Sequence, residues 1–383
     1  MSRRNVSTAV ATSVCGLVAS GALLSSPAYA AATTVAAGRL AATTTAATTT
    51  ASAVAASRAA TATAARASTA TTRRLAGANR YETAVEVSKA SFPDPVAAVF
   101  VASGADFADA LAAGPAGGSL GGPVLLVPPS GTLPTVVARE LDRLDPSDIY
   151  LVGGTGAVST PMAAQVATHG RVTRIAGADR FATAAKLVPF HVYTDGADGG
   201  TEGPATAVIA NGLSLADGVT AGALASHRRS PVLASPLLLT TATSLPASTR
   251  EALKGFQEVI IVGGTGAISS AVEREVRAVV PQARFTRLSG ADRYATAAAA
   301  ARFSLPQTPA QDVFLTSGTS LSDSLTVAPV VSPASVRYAL LPTRKDCVPA
   351  VILAEVNRLQ SPRRTAVGGT GVVTDAALAL KPC

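Results

Sequence analysis

The chain carries one sequence pattern three times, and this repetition restricts its possible folds more than any other feature. The first mark, [LI]-[AS]-G-A-[DN]-R-[YF]-x-T-A, begins at Leu75, Ile175 and Leu288. The second, [SN]-G followed five residues later by an aspartate, begins at Ser103, Asn211 and Ser317. The third, V-G-G-T-G, begins at Val152, Val262 and Val367. The marked arginines Arg80, Arg180 and Arg293 lie 100 and 113 residues apart, so each repeat has the size of a small domain rather than of a solenoid unit.

Each repeat alternates short apolar runs with helical stretches. In the first repeat, residues 98–102, 124–127 and 149–152 are nearly all apolar, which predicts strands buried on both faces. Residues 107–113 and 133–144 predict helices, the second with an apolar stripe at helical spacing. Strands separated by helices indicate a parallel sheet covered on both sides. The sequence therefore predicts three tandem α/β repeats, each with a small parallel sheet flanked by helices.

The N-terminal region predicts export. Arg3 and Arg4 precede a short apolar stretch of small residues, and an A-x-A pattern ends at Ala30. A membrane anchor is the alternative, but no stop-transfer charges follow this stretch. After a signal peptide at 1–30, the Ala- and Thr-rich residues 31–72 predict a disordered linker. The rest of the chain is divided into repeats at 73–172, 173–285 and 286–383.

Composition argues against nucleic acid as a partner. The net charge is +8, but five of the 32 basic residues and none of the 24 acids lie in residues 1–72. The remaining 27 basic residues against 24 acids give the repeats only +3. Aromatic residues make up 4% and tryptophan is absent, so base-stacking platforms are not expected. After signal removal, no further stretch of about 20 apolar residues predicts a membrane span.

The three linked marks, each repeated three times, resemble the cell wall binding repeat 2 family over residues 73–383. The resemblance implies three α/β units packed around a pseudo-threefold axis within a monomer. It also implies non-catalytic, non-covalent attachment to Gram-positive cell walls through an anionic wall polymer, such as a teichoic-acid-like secondary polymer. A secreted protein held at the wall or cell surface is therefore expected.

The marked arginines have two compatible interpretations. Arg80, Arg180 and Arg293 present guanidinium groups that suit the phosphate or carboxylate groups of a polymer. Alternatively, they form ion pairs with the marked acids, either within a repeat or between repeats. These acids are Asp109, Asp217 and Asp323.

Two loops at the predicted carboxyl ends of strands are further candidates for polymer contacts, since ligands of parallel sheets bind at that edge. Their candidate residues are Ser103, Asn211 and Ser317 in one loop, and Gly154, Gly264 and Gly369 in the other. The glycine turns do not fit a dinucleotide site, because the first reads G-x-G-x-x-S from Gly154 to Ser159 and lacks an acid about 20 residues further on. A purely structural tight turn is the alternative.

Catalysis finds little support in the sequence. The three histidines, His169, His191 and His227, occupy non-equivalent positions, and neither a metal-ligand spacing nor a nucleophile motif occurs. We expect no metal and no cofactor. An exported hydrolase of wall glycan or peptide, with a site between repeats, remains the alternative function.

The cysteine count predicts a disulfide. Removal of the signal peptide would remove Cys15 and leave Cys347 and Cys383, an even pair in an exported chain. Two unpaired thiols are the alternative.

Overall fold

Twelve strands of the described residues form three separate four-stranded parallel sheets, one for each repeat, and two short strands of the second repeat form an antiparallel pair. A computed structural model describes residues 70–92, 95–191, 193–194, 201–202, 206–227, 234–306, 308–331 and 337–383. The predicted signal peptide and the predicted linker up to residue 69 lie outside these residues. Across the described ranges, no helix has the length and apolar character needed to cross a bilayer.

The first repeat follows the strand and helix order that its sequence predicts. Its elements and the strand before it are β1 (Thr71–Leu75), α1 (Arg80–Ser91), β2 (Ala98–Ser103), α2 (Phe107–Leu120), β3 (Val124–Val127), α3 (Thr135–Leu144), β4 (Asp148–Val152), α4 (Thr160–Val166) and β5 (Arg171–Ile175). The sheet order is β3-β2-β4-β5. The three predicted strands are confirmed. Helix α2 runs seven residues beyond its predicted end because its left-handed C-cap is Gly121, at φ +67°.

The second and third repeats reproduce this plan. The second comprises α5 (Arg180–Ala185), β6 (Tyr193–Thr194), β7 (Thr201–Glu202), β8 (Thr206–Asn211), α6 (Leu215–Ser226), β9 (Leu237–Thr240), α7 (Ala247–Ala252), β10 (Glu258–Val262), α8 (Ser270–Val279) and β11 (Arg284–Leu288). The third comprises α9 (Arg293–Ser304), β12 (Asp312–Ser317), α10 (Ser322–Leu325), β13 (Tyr338–Thr343), α11 (Ala350–Leu359), β14 (Arg363–Val367) and α12 (Asp375–Leu378). Their sheet orders are β9-β8-β10-β11 and β13-β12-β14-β1. The predicted α/β class is confirmed.

The strand before each arginine motif belongs to the sheet of the preceding repeat. Strand β5 pairs with β4, and β11 pairs with β10. By the same rule β1 pairs with β14, with Thr71 opposite Arg363 and Leu75 opposite Val367. The start of the described chain therefore completes the sheet of the third repeat, and the three repeats close into a ring.

Small residues bring the three repeats together at the centre. A Cβ added to Gly114 in α2 would lie 2.6 Å from Cβ of Ala328, in the third repeat. A Cβ on Gly218 in α6 would lie 2.7 Å from Cδ2 of Leu111 in α2. These close contacts join the repeats: one cluster of buried hydrophobic residues runs through all three, and two further clusters lie within the second and third repeats.

A disulfide fixes the C-terminus, which confirms the predicted Cys347–Cys383 pair; the two cysteines are 36 residues apart. Closing a loop of this size contributes about 3–4 kcal/mol in the chain-entropy estimate. Beside it, the Val348 amide donates to the carbonyl of Lys381 at 2.7 Å. In the first repeat the matching amide, that of Leu133, donates instead to Oε1 of Gln165 at 2.9 Å. The C-terminal tail thus supports the third repeat as a glutamine side chain supports the first.

Candidate functional site

A capping residue places each motif arginine at the first position of a helix. Asn79 Oδ1 accepts hydrogen bonds from two backbone amides in the first turn of α1. Asp179 caps α5 and Asp292 caps α9, and each accepts one backbone amide at 2.8 Å. The cap satisfies backbone donors that a helix start would otherwise leave unpaired. It also fixes where the following arginine leaves the helix.

The three motif arginines make the same backbone contact. Arg80 Nη1 donates to the carbonyl of Gly104 at 2.5 Å. Arg180 donates to Gly212 at 3.0 Å, and Arg293 to Gly318 at 2.6 Å. Each arginine is half-buried and held against the loop that follows β2, β8 or β12 in its own repeat. Its remaining N–H groups stay available for other partners.

The marked acids face the arginine of the following repeat, not that of their own. The charge of Arg180 lowers the pKa of Asp109. Likewise Arg293 lowers the pKa of Asp217, and Arg80 lowers the pKa of Asp323. Within the described residues the same-repeat pairing is not made, although each first helix packs mainly on the sheet of its own repeat, at β3, β9 or β13. Among the described residues, none of these three pairs comes within 4.0 Å, whereas Arg180 Nη2 lies 3.6 Å from Asp106 Oδ2.

Burial raises the pKa of all three marked acids. For Asp109 the charge of Asp106 raises the pKa further, while the Thr183 hydroxyl and Arg180 lower it. For Asp217 and Asp323 burial is opposed by the next repeat's arginine and by a threonine hydroxyl. Asp109 Oδ1 is buried and accepts no hydrogen bond within the described residues. These carboxylates therefore carry a desolvation cost that the nearby arginines only partly offset.

We expect the triple variant D109N/D217N/D323N to gain stability relative to the unchanged chain between pH 4 and pH 7. A raised folded-state pKa means that the native protein holds these protons to higher pH than the unfolded chain. The free energy of unfolding therefore falls as pH rises from the unfolded pKa through the folded one. Asparagine does not titrate, so the variant does not lose this free energy of unfolding as pH rises. Thermal melts of both proteins at pH 4 and pH 7 measure the difference, and a variant that loses more stability at pH 7 would show that the arginines outweigh burial.

The first glycine of each V-G-G-T-G turn lies directly under a marked carboxylate. Gly153, Gly263 and Gly368 have φ values of +113°, +118° and +103°. A Cβ at these positions would fall 2.7, 3.0 and 2.6 Å from the Oδ2 atoms of Asp109, Asp217 and Asp323, respectively. Both the backbone angle and the close approach thus require glycine.

The rest of each glycine turn faces solvent. Nothing lies within 4 Å of a Cβ added to Gly154, Gly264 or Gly369, and the two residues after each are exposed or open to solvent. Within the described residues, the amides of these glycines and of the threonines that follow donate no hydrogen bond. Unpaired amides in an exposed turn at the carboxyl end of parallel strands suit an anionic ligand.

The predicted contact residues of the other loop have buried side chains. Ser103 Oγ accepts hydrogen bonds from the amides of Ala105 and Asp106. Asn211 Oδ1 and Ser317 Oγ each accept hydrogen bonds from the two backbone amides at the equivalent positions of their loops. These side chains fold the loop back on itself. The loop therefore offers a ligand its backbone and its next residues rather than these polar groups.

A second set of arginines, for which the sequence predicts no role, holds the glycine turns. Arg74, Arg174 and Arg287 donate from Nη1 to the carbonyls of Gly368, Gly153 and Gly263 at 2.7–2.8 Å. They lie on β1, β5 and β11, the strands supplied to the neighbouring sheet. Each stands just before the first mark, a recurrence that could have identified the set.

The histidines lie in three unrelated environments. His169 contacts Asp142 at the surface, at 2.5 Å. His191 is buried against Ser119 and the carbonyl of Ala234, and burial lowers its pKa to about 4. Burial also lowers the pKa of His227 to about 4. In the part of the chain that the structure describes, no three or more His, Cys, Asp or Glu residues are grouped to hold a metal.

Comparison with known families agrees with the repeat pattern. The model of the family described as Cell wall binding domain 2 matches residues 74–163, 174–273 and 287–378. Two curated proteins of Bacillus subtilis (strain 168) are similar. N-acetylmuramoyl-L-alanine amidase LytC is 34% identical over 60% of this chain, and Amidase enhancer is 28% identical over 73%. This chain spans 42% and 36% of their respective lengths.

Two solved structures share the architecture. Cwp6 from Clostridium difficile superimposes with a TM-score of 0.68 at 25% identity, over 82% of this chain and 48% of that one. Cwp8 from Clostridium difficile gives a TM-score of 0.67 at 25% identity, over 80% of this chain and 50% of that one.

Proposed function

The chain belongs to the cell wall binding domain 2 family, and from this premise we propose that it binds an anionic wall polymer at three equivalent sites. Each site joins one motif arginine to the glycine turn of the preceding repeat. One observation carries the proposal: each marked acid lies against a glycine turn with unpaired amides and interacts with the charge of the next repeat's half-buried arginine. Cationic forks and free amides are what a phosphate- or carboxylate-bearing chain requires.

Repetition of the site supports a polymer rather than a small ligand. Three weak contacts on one closed ring of repeats would bind successive charged units of the same chain, so the second and third contacts form at high effective concentration. The modest positive charge of the repeats would speed the encounter with a polyanion. We further propose that residues 1–30 direct export to a Gram-positive wall and that the chain from residue 31 to the start of β1 is a linker in a monomeric protein.

We expect R80Q/R180Q/R293Q to weaken binding to purified walls by at least about tenfold. The triple variant removes three guanidinium contacts, each of which contributes up to about a factor of ten, and their effects combine. The test is co-sedimentation of residues 31–383 with walls, before and after acid extraction of the non-peptidoglycan polymers, at two salt concentrations. Binding should fall with salt and disappear on extraction.

A matched variant, R171Q, removes an exposed arginine on β5 whose partner is Asp148 and should bind normally. Thermal melts of all variants separate lost contacts from lost folding. Binding that survives extraction would contradict the anionic polymer. Release of soluble glycan or peptide fragments from the walls would favour the hydrolase.

A further inference from the structure

The Arg180 site contains a carboxylate that the other two sites lack. Asp106 caps α2 with Oδ1, which accepts the Ala108 amide at 3.2 Å. Its other oxygen, Oδ2, lies 3.6 Å from Arg180 Nη2. The cap fixes the orientation of this carboxylate toward the arginine. An anionic ligand at Arg180 therefore meets a negative charge already in place.

Serines occupy the same place at the other two sites. Asp106 is three residues after Ser103, and the residues three after Asn211 and Ser317 are Ser214 and Ser320. In the described part of the chain, Arg80 and Arg293 have no carboxylate within 4.0 Å. Their guanidinium groups keep their charge available to a ligand.

The Arg80 site also has two cations beside its glycine turn. Arg344 and Lys345 are exposed in the loop after β13. The Lys345 carbonyl accepts the amide of Thr374, three residues beyond the turn, at 2.9 Å. The equivalent carbonyls in the first and second repeats belong to Pro129 and Ala242, whose loops carry no charge. Asp346 follows, so this loop adds a net single positive charge.

Two other charges near the sites are already held by backbone. Lys186 Nζ, near the Arg180 site, donates to the carbonyl of Ala176 at 2.6 Å. Glu82, near the Arg80 site, accepts the Ala78 amide at 2.9 Å. Within the described residues neither forms an ion pair with a motif arginine, so Asp106 is the charge that meets one directly.

We propose that the three sites are unequal: the Arg80 site is the principal anion site, the Arg293 site is second, and Asp106 keeps the Arg180 site weak. This inference rests on the proposed function and identifies which repeats carry it. The ligand group is a phosphodiester or carboxylate of a polyanion. The seam at which the ring closes is then the place where the polymer binds most tightly.

Reciprocal exchange of this one charge tests the proposal in residues 31–383. The probe is fluorescently labelled sodium polyphosphate, titrated at low salt, with purified walls as a second ligand. D106N should tighten binding about fivefold, and S320D should weaken it by about the same factor, as expected for one charge at 4 Å in water. R80Q should weaken binding more than R180Q does. D142N, which removes an exposed acid beside His169, controls for net charge.

Equal effects of D106N and D142N, or of R80Q and R180Q, would overturn the ranking while leaving wall binding intact. Failure of the unchanged chain to bind either walls or polyphosphate would overturn the proposed function and this inference with it. Thermal melts of D106N and S320D verify that each binding change occurs in a folded protein.

Discussion

A chain that begins at Ala76 is expected to melt about 10 °C below one that begins at Ala31, and to expose the third repeat to proteolysis. The shorter chain lacks β1, which completes the sheet of the third repeat through β14. Its loss exposes a strand edge and removes Arg73, one of the two arginines that pair with a buried charge. Together these losses cost about 3–5 kcal/mol, which corresponds to about 10 °C in a protein of this size.

The buried charge is Asp312 on β12, whose carboxylate is fully buried. Arg73 on β1 donates to Asp312 Oδ2 at 3.3 Å and to Thr365 Oγ1 at 2.8 Å. Arg363 lies 3.1 Å from the same oxygen. Burial raises the pKa of Asp312, and the Thr365 hydroxyl and the two arginines oppose that rise. Strand β1 therefore brings both backbone pairing and charge compensation to the seam.

Two single substitutions separate these contributions. R73A, in residues 31–383, keeps the strand and removes the charge, so it should lose part of the effect. R171A on β5 removes an arginine whose pair with Asp148 is solvent-exposed, and should change stability by less than about 1 kcal/mol. Identical melting of the chains that begin at Ala31 and Ala76 would show that β1 does not close the ring.

The sequence predicts the elements of this fold better than their assembly. Apolar runs such as 149–152 have the length and composition of buried strands, and the structure has strands there. No such signal shows that β1, β5 and β11 join the sheet of the preceding repeat. The repeat period is the same whether these strands are counted at the end of one repeat or at the start of the next. The expected repeat starts at residues 73, 173 and 286 fall inside these three strands.

The same limit applies to the site. The recurring arginines and glycine turns could be identified as marks, but the partner of Asp109 depends on which sheet receives β5. Buried Ser103 and an exposed ligand-binding serine have the same sequence signature, since both follow a strand and precede glycine. The inequality of the sites is visible in the sequence at Asp106, yet only the 3.6 Å contact with Arg180 gives it meaning.

R143A is expected to destabilise the protein by about 3–5 kcal/mol, because it leaves a carboxylate buried without its cation. Glu140 on α3 is 1% exposed. Arg143 binds it through two hydrogen bonds, of 2.6 and 2.8 Å, and also donates to the carbonyl of Phe92. Burial raises the pKa of Glu140, and the Ser88 hydroxyl opposes that rise. Chemical denaturation of the unchanged chain and R143A gives the difference.

The second repeat lacks both residues of this pair: Ala252 and Gly255 occupy the positions of Glu140 and Arg143 in the first repeat. E140A/R143A should therefore recover most of the stability that R143A loses. Without its cation, Glu140 keeps its proton to still higher pH, so R143A should regain stability as pH falls from 7 to 5. K254A breaks the exposed Glu251–Lys254 pair and should cost less than about 1 kcal/mol. If R143A and K254A cost the same, the buried pair contributes no more than a surface one, and its recurrence in the third repeat, as Glu355 and Arg358, needs another cause.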